Sequence, residues 1–168
     1  MKIKIFSLSM LLFYILFCLS INASSAELFG AKSAEQSSDL SILNMLTYAI
    51  QDEYLAHAEY KSIINKYGAV RPFANIIRAE ETHINMLVPL FKKYGFELPD
   101  NNAEQHIILP MDLKNALEIG IQAEIDNIGM YKRFLNEPLP QDIQNAFQRL
   151  KSASENHLRA FKNALKRH

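Results

Sequence analysis

A single cysteine is all this 168-residue chain contains, and Cys18 lies in an apolar N-terminal run rather than in the body of the protein. If that run is removed after synthesis, no disulfide, thiol nucleophile or Cys-ligated zinc or iron–sulfur centre remains to be built. Tryptophan is absent, and Lys+Arg and Asp+Glu balance at 18 each. A balanced chain with no basic block gives no footing for nucleic acid or an anionic membrane surface. Strand signals are also lacking: Ile107-Ile108-Leu109 alone looks extended, and it reads as connecting chain lying on a helical body.

What is present at the N-terminus has the layout of a secretory signal peptide. Lys2 and Lys4 form a short basic start, Ile5 to Ile21 is almost wholly apolar, and Ser24-Ser25-Ala26 supplies small residues for a peptidase. The apolar run is marginal for a spanning helix, so cleavage after Ala26 is expected, with no stable membrane insertion afterwards. Export would end in the periplasm or outside the cell. Removing residues 1–26 takes only Lys2 and Lys4 from the cations, which leaves 142 residues and a net charge of −2. That length suits one domain with a sizeable core. Residues 27–38 are polar and aperiodic and read as a flexible lead-in, so the folded domain is expected over 39–168.

Within 39–168 the pattern is helical. The first helix is predicted from Asp39, as N-cap, to Tyr67, with Gly68 closing it. The second runs from Pro72 to Tyr94-Gly95, the third from Asp112 to Asn136, and the fourth from Pro140 almost to the C-terminus. The connections from first to second and from third to fourth are short, so each pair forms an antiparallel hairpin. The segment from Phe96 to Pro110 is longer and can travel the height of a bundle. Two hairpins joined by one long crossover make an all-α, ferritin-like four-helix bundle. The halves also echo one another: Glu53 and Tyr60 are seven apart, as are Glu124 and Tyr131, while Phe73 and His83 are ten apart, as are Phe147 and His157. Duplication of a helical hairpin would produce both pairings.

Polar residues interrupt the apolar seams at mid-height. In the second helix Phe73, Ile76, Glu80, His83, Leu87, Leu90 and Tyr94 step by three and four on one face. The first helix has Glu53, His57 and Tyr60 in its seam, the third has Glu124 and Tyr131, and the fourth has Ser154 and His157. Antiparallel packing brings these middles to similar heights, so Glu53, Glu80, His83, Glu124 and His157 are expected to converge. Three buried carboxylates without a cation would repel one another. A metal ion relieves that repulsion, and a carboxylate and imidazole set without sulfur suits iron or manganese, with zinc also compatible. Tyr60 and Tyr131 would stand beside the ligands, with Ser154 and His57 as further neighbours. Taken singly, each tyrosine is equally explained by core packing with its hydroxyl satisfied. Glu155, two residues before His157, points to the outer face like Glu81. His106 and His168 lack partners at ligand spacing and read as solvated.

One Glu from each of two helices plus Glu-x-x-His from each of the other two is the di-iron carboxylate arrangement. The chain resembles it at Glu53, Glu124 and Glu80-x-x-His83, and departs from it where Ser154-x-x-His157 replaces the second Glu-x-x-His. Asp52-Glu53-Tyr54-Leu55-Ala56-x-x-x-Tyr60, Phe73-x-x-Ile76, Ala79-Glu80-x-x-His83 and Ser154-x-x-His157-Leu158-Arg159-Ala160-Phe161 together resemble the ferritin-like family catalogued as domain of unknown function 2202. The likeness runs from about residue 40 to 165. It implies a ferritin-like bundle with a metal site, treats Ser154 as part of the family pattern, and implies no established reaction.

Two functions fit this reading. One is an exported metalloprotein with one or two non-haem iron ions, oxidising ferrous iron or reducing oxygen or peroxide. The other is a non-catalytic envelope or stress-associated binding bundle with a vestigial or structural metal site. Rubrerythrin-like peroxide reduction is disfavoured by the lack of a Cys-x-x-Cys electron-transfer module. The candidate partners are metal ions and oxygen or peroxide, with a homodimer as a candidate assembly.

Overall fold

A computed structural model describes residues 28–168 of the chain. The segment read as a signal peptide lies outside that range. Four long helices, α2 (Ile42–Tyr67), α3 (Phe73–Tyr94), α4 (Leu113–Phe134) and α5 (Gln141–Leu165), are preceded by a short α1 (Ala31–Gln36). The crossover between α3 and α4 carries a single 3-10 turn, Ala103–Gln105. Among the described residues there is no strand, and no helix is long and apolar enough to cross a membrane.

The helix ends follow local chemistry. Ser41, not Asp39, caps α2 by accepting from the Asn44 amide, while Asp39 accepts from the Ser41 amide one step earlier. Asp112 caps α4 through Asn115. Gly95 ends α3 at φ 71°, the left-handed region that glycine enters without steric cost. The α2–α3 and α4–α5 pairs pack as the two expected hairpins.

Two apolar clusters fill the bundle on either side of a polar layer. In one, Tyr60, Phe73 and Phe161 meet with ring centroids 5.1–5.6 Å apart. In the other, Tyr131, Phe134 and Phe147 meet at 5.4–6.3 Å. Gly120 on α4 lets the Phe161 ring approach, since a Cβ there would lie 2.9 Å from it.

Three expectations need correction. The segment taken as an aperiodic lead-in contains α1, with Phe29, Ala31 and Ala34 buried against α2 and α4. Six residues carry too little periodicity to register, and the helix is held by tertiary contacts instead. Arg133 donates to the Ala34 and Ser37 carbonyls at its C-terminal end, and Asp52 accepts from the Ala31 amide at 2.8 Å. His106 is not solvated: it is half-buried and stacks on Phe29 at 4.3 Å. In the crossover, Ile108 and Leu109 remain 62% and 67% exposed, so that stretch only partly packs on the bundle.

Candidate metal centre

Each long helix contributes to one buried cluster. Glu53 comes from α2, Glu80 and His83 from α3, Glu124 from α4 and His157 from α5. All five are buried because each occupies the seam of its amphipathic helix at mid-height. All five residues proposed from the seams are therefore brought together.

Their donor atoms form two trios, Glu53–Glu80–His83 and Glu80–Glu124–His157, with atoms in each trio within 4.8 Å of one another. Glu80 belongs to both. Its Oε2 lies 2.7 Å from His83 Nδ1, and its Oε1 lies 3.2 Å from His157 Nδ1. Glu53 Oε2 is 3.0 Å from His83 Nδ1, and Glu124 Oε1 is 3.3 Å from His157 Nδ1. The two imidazole rings stack with centroids 5.7 Å apart. The two halves pair alike here, Glu53 with His83 and Glu124 with His157, and Glu80 contacts both histidines.

Protonation follows from burial and proximity. Burial works against a proton on His83, yet hydrogen bonds to Glu53 and Glu80 outweigh it and push its pKa up to about 10. His157 behaves alike, with burial opposed by Glu124 and Glu80, and rises to about 9. Burial raises Glu53 and Glu124. Burial also acts to raise Glu80, but hydrogen bonds from His157 and His83 hold it below the ordinary range. Imidazolium protons on His83 and His157 therefore lie between the carboxyl groups of Glu53, Glu80 and Glu124. Those carboxylate and Nδ1 atoms are hard and borderline donors facing a common centre, a set that fits divalent iron or manganese once the protons leave.

The tyrosines join this layer across the bundle. Tyr131 donates to Glu53 Oε1 at 2.8 Å, and Tyr60 donates to Glu124 Oε1 at 3.1 Å. Burial, followed by the nearby carboxylates, raises both phenols well above their ordinary pKa, so they remain donors. Ser154 is buried next to the cluster, but its hydroxyl faces Asn127 Oδ1 at 2.7 Å and the Leu150 carbonyl at 3.2 Å. His57 is not drawn in. Its Nε2 lies 3.4 Å from Glu81 Oε1 on the outer side of the hairpin. Glu155 also faces outward, paired with Lys151 at 2.8 Å.

Three buried or enclosed polar residues were not anticipated. Asn127 stands three residues after Glu124, the same spacing as His83 after Glu80, and that interval was the available signal. Its amide donates to Asp52, completing a chain from Ser154 through Asn127 and Asp52 to the Ala31 amide. Asp52 is half-buried as a residue, but its carboxylate is enclosed, and burial pushes its pKa up to about 6. Glu59 is buried and accepts from the Ile108 amide at 3.3 Å, with burial lifting its pKa to about 7. Neither acid lies in the apolar seam of α2, so periodicity did not mark them.

Comparison with known proteins agrees with this architecture. An uncharacterized protein of Methanocaldococcus jannaschii, MJ0754, is 26% identical over 126 residues, which span 66% of this chain and 68% of that one. The crystal structure of hypothetical protein MJ0754 from Methanococcus jannaschii DSM 2661 matches with a TM-score of 0.67 at 24% identity. That match covers 74% of this chain and 79% of that one, and it speaks to the fold. A family model described as Rubrerythrin matches residues 44–165, which takes in α2 from its third residue, the whole of α3, α4 and α5, and all five residues of the cluster. The chain belongs to the Rubrerythrin family, a ferritin-like four-helix bundle with a buried carboxylate–histidine cluster.

Proposed function

We propose that this chain is an exported metalloprotein in which Glu53, Glu80, His83, Glu124 and His157 hold a pair of non-haem iron ions that react with oxygen or peroxide. The observation that carries this reading is the position of Glu80, whose two oxygens face two separate histidine-bearing trios. A carboxylate placed in that way suits a bridge between two ions. Export rests on the basic start, apolar run and Ser24-Ser25-Ala26 of the N-terminus.

A bound iron pair would supply two electrons, enough to take one peroxide and two protons to two waters. The protein's own part is positional. A tyrosine hydroxyl from the opposite hairpin holds each of Glu53 and Glu124: Tyr131 takes Glu53 Oε1 and leaves Oε2 facing His83, whereas Tyr60 donates to the same Glu124 Oε1 that lies 3.3 Å from His157 Nδ1. His83 and His157 would surrender their Nδ1 protons on loading. The apolar clusters above and below keep bulk water from the layer.

The deciding experiment is metal analysis of protein lacking residues 1–26 after anaerobic exposure to ferrous iron, followed by stopped-flow mixing with oxygen or peroxide. About two irons per chain, oxidised rapidly in the wild type and lost in Glu80→Ala, is the expected result. A second reading has its own support in the internal pairing of the cluster: His83 is hydrogen-bonded to Glu53 and Glu80, and His157 lies at ion-pair distance from Glu80 and Glu124. A well-folded chain that takes up no iron would favour that reading, a binding bundle with a structural ion-pair layer.

A further inference from the structure

Beside the cluster lies a cavity of about 230 Å³, lined by α2 and α4 and by residues at the start of α1 and near the end of the crossover. Phe29, Leu55, Ile108 and Ile119 give it a mainly apolar wall. Ile108 and Gln122, at its edge, are exposed, so the cavity has a mouth at the surface. At its inner end Asp52 and Ala123 are shared with a tight space of about 10 Å³ that is also lined by Glu53, Glu80 and Glu124. A methyl group, Ala123, and a carboxylate tied to Asn127 thus form the wall between the outer cavity and the cluster.

The geometry points to this cavity as the antechamber through which small uncharged molecules reach the cluster, with Ala123 as its neck; the inference rests on the metal reading for its destination. Three features make it selective. Apolar walls lower the cost of entry for a molecule such as dioxygen and raise it for an ion, which would shed its hydration. Among the charged groups lining the same space, Lys32 is paired with Asp126, which leaves Asp52 and Glu59 as carboxyl groups of its own sign for an anion to meet when these are ionised. The inner space takes about one water-sized species, which sets a size limit at the cluster rather than at the mouth.

α1 builds this chamber rather than merely flanking it. Phe29, Ala31 and Lys32 line the cavity, and Lys32 reaches Asp126 on α4 at 2.9 Å. Gly30 permits the approach. Its φ is 56°, and a Cβ there would lie 2.9 Å from the Asp52 Cα.

The test uses crystals and solution together. Crystals of the protein pressurised with xenon are expected to show the gas between Leu55, Ile108 and Ile119, and Ala123→Phe or Ile119→Phe should displace it. In the ferrous protein, nitric oxide serves as a neutral diatomic probe whose association is read from its iron-nitrosyl absorbance. Both variants should slow that association by about tenfold or more, and Ile119→Phe, which does not line the space at the cluster, should do so with iron content and melting temperature near those of the wild type. Ile119→Phe fills the chamber from a site away from Asp52, so it decides the matter if Ala123→Phe folds poorly. A wild-type cavity without xenon, or variants that fill it and leave nitric oxide association unchanged, would overturn the inference. A protein that binds no iron would instead sink the metal reading, and the xenon result would still decide whether the chamber and its Ala123 neck exist.

Discussion

Tyr131 donates its hydroxyl proton to Glu53, a residue of the opposite hairpin, and not to Glu124 seven positions before it on its own helix. Tyr60 makes the reciprocal contact to Glu124 at 3.1 Å. Because α2 and α4 run antiparallel, the residue two turns beyond one carboxylate stands level with the other. The hairpins are therefore cross-linked through their own candidate ligands, and the carboxylate–histidine layer and the interface between halves are one structure.

Tyr131→Phe should accordingly lower stability of the metal-free protein by ~1–3 kcal/mol, the cost of leaving a buried carboxylate oxygen without its donor. Tyr60→Phe should cost somewhat less, given its longer contact. Chemical denaturation of each variant and of the double variant measures both effects. Loss of stability confined to one tyrosine would contradict the pseudo-symmetric reading.

Metal loss is expected to be asymmetric among the carboxylates. Glu80→Ala removes the group common to both trios and should abolish both ions together, whereas Glu53→Ala or Glu124→Ala should retain about one per chain. Elemental analysis after gel filtration reads this directly. Equal losses from all three variants would show that Glu80 is not shared.

The pH response should reverse sign on metal loading. His83 and His157 are raised to about 10 and about 9 in the metal-free fold, from an ordinary value of 6.5. Their contribution to stability is complete below pH 6.5 and disappears as pH rises through the folded values. The metal-free protein should thus weaken between pH 6.5 and about 10. Metal affinity should strengthen over the same rise, because binding displaces those protons. Melting curves of both forms at pH 6, 7 and 8 test the pair of slopes, and parallel slopes would refute it.

Glu59 offers an independent check away from the cluster. Burial lifts its pKa from 4.5 to about 7, so ionising it costs the fold, and stability falls as pH climbs across that window. Glu59→Gln should stabilise the protein at pH 8 by ~1–3 kcal/mol and change it little at pH 4. A stabilisation that does not vary with pH would show that Glu59 is ionised at no cost.

Ser154→Glu would restore the carboxylate missing from the second Glu-x-x-His. Ser154 is buried and hydrogen-bonded to Asn127, so a fourth acid without a cation should destabilise the metal-free protein by ~3 kcal/mol or more. Iron should recover much of that loss, which a comparison of melting with and without metal would show. A variant no weaker than wild type without metal would mean that the position is open to solvent.

The four long helices and the five converging residues were legible in the chain because a seam period of three and four does not depend on distant contacts. Glu80, His83 and Glu53 announced themselves as polar residues in apolar stripes, and Glu124 and His157 by the same token. Periodicity places a residue on a face, but it does not say which neighbour that face meets. His57 shares the α2 stripe with Glu53 and yet turns to Glu81, since one helical turn carries it off the inner line. The crossed pairing of the tyrosines, the diversion of Ser154 to Asn127 and the docking of α1 on Asp52 all depend on where a second helix stands. The sequence by itself determined the helices, their seams and the chemistry of the central layer. Tertiary packing decided which oxygen faces which proton, because hydrogen-bond partners are selected by distances of a few tenths of an ångström between elements far apart in the chain.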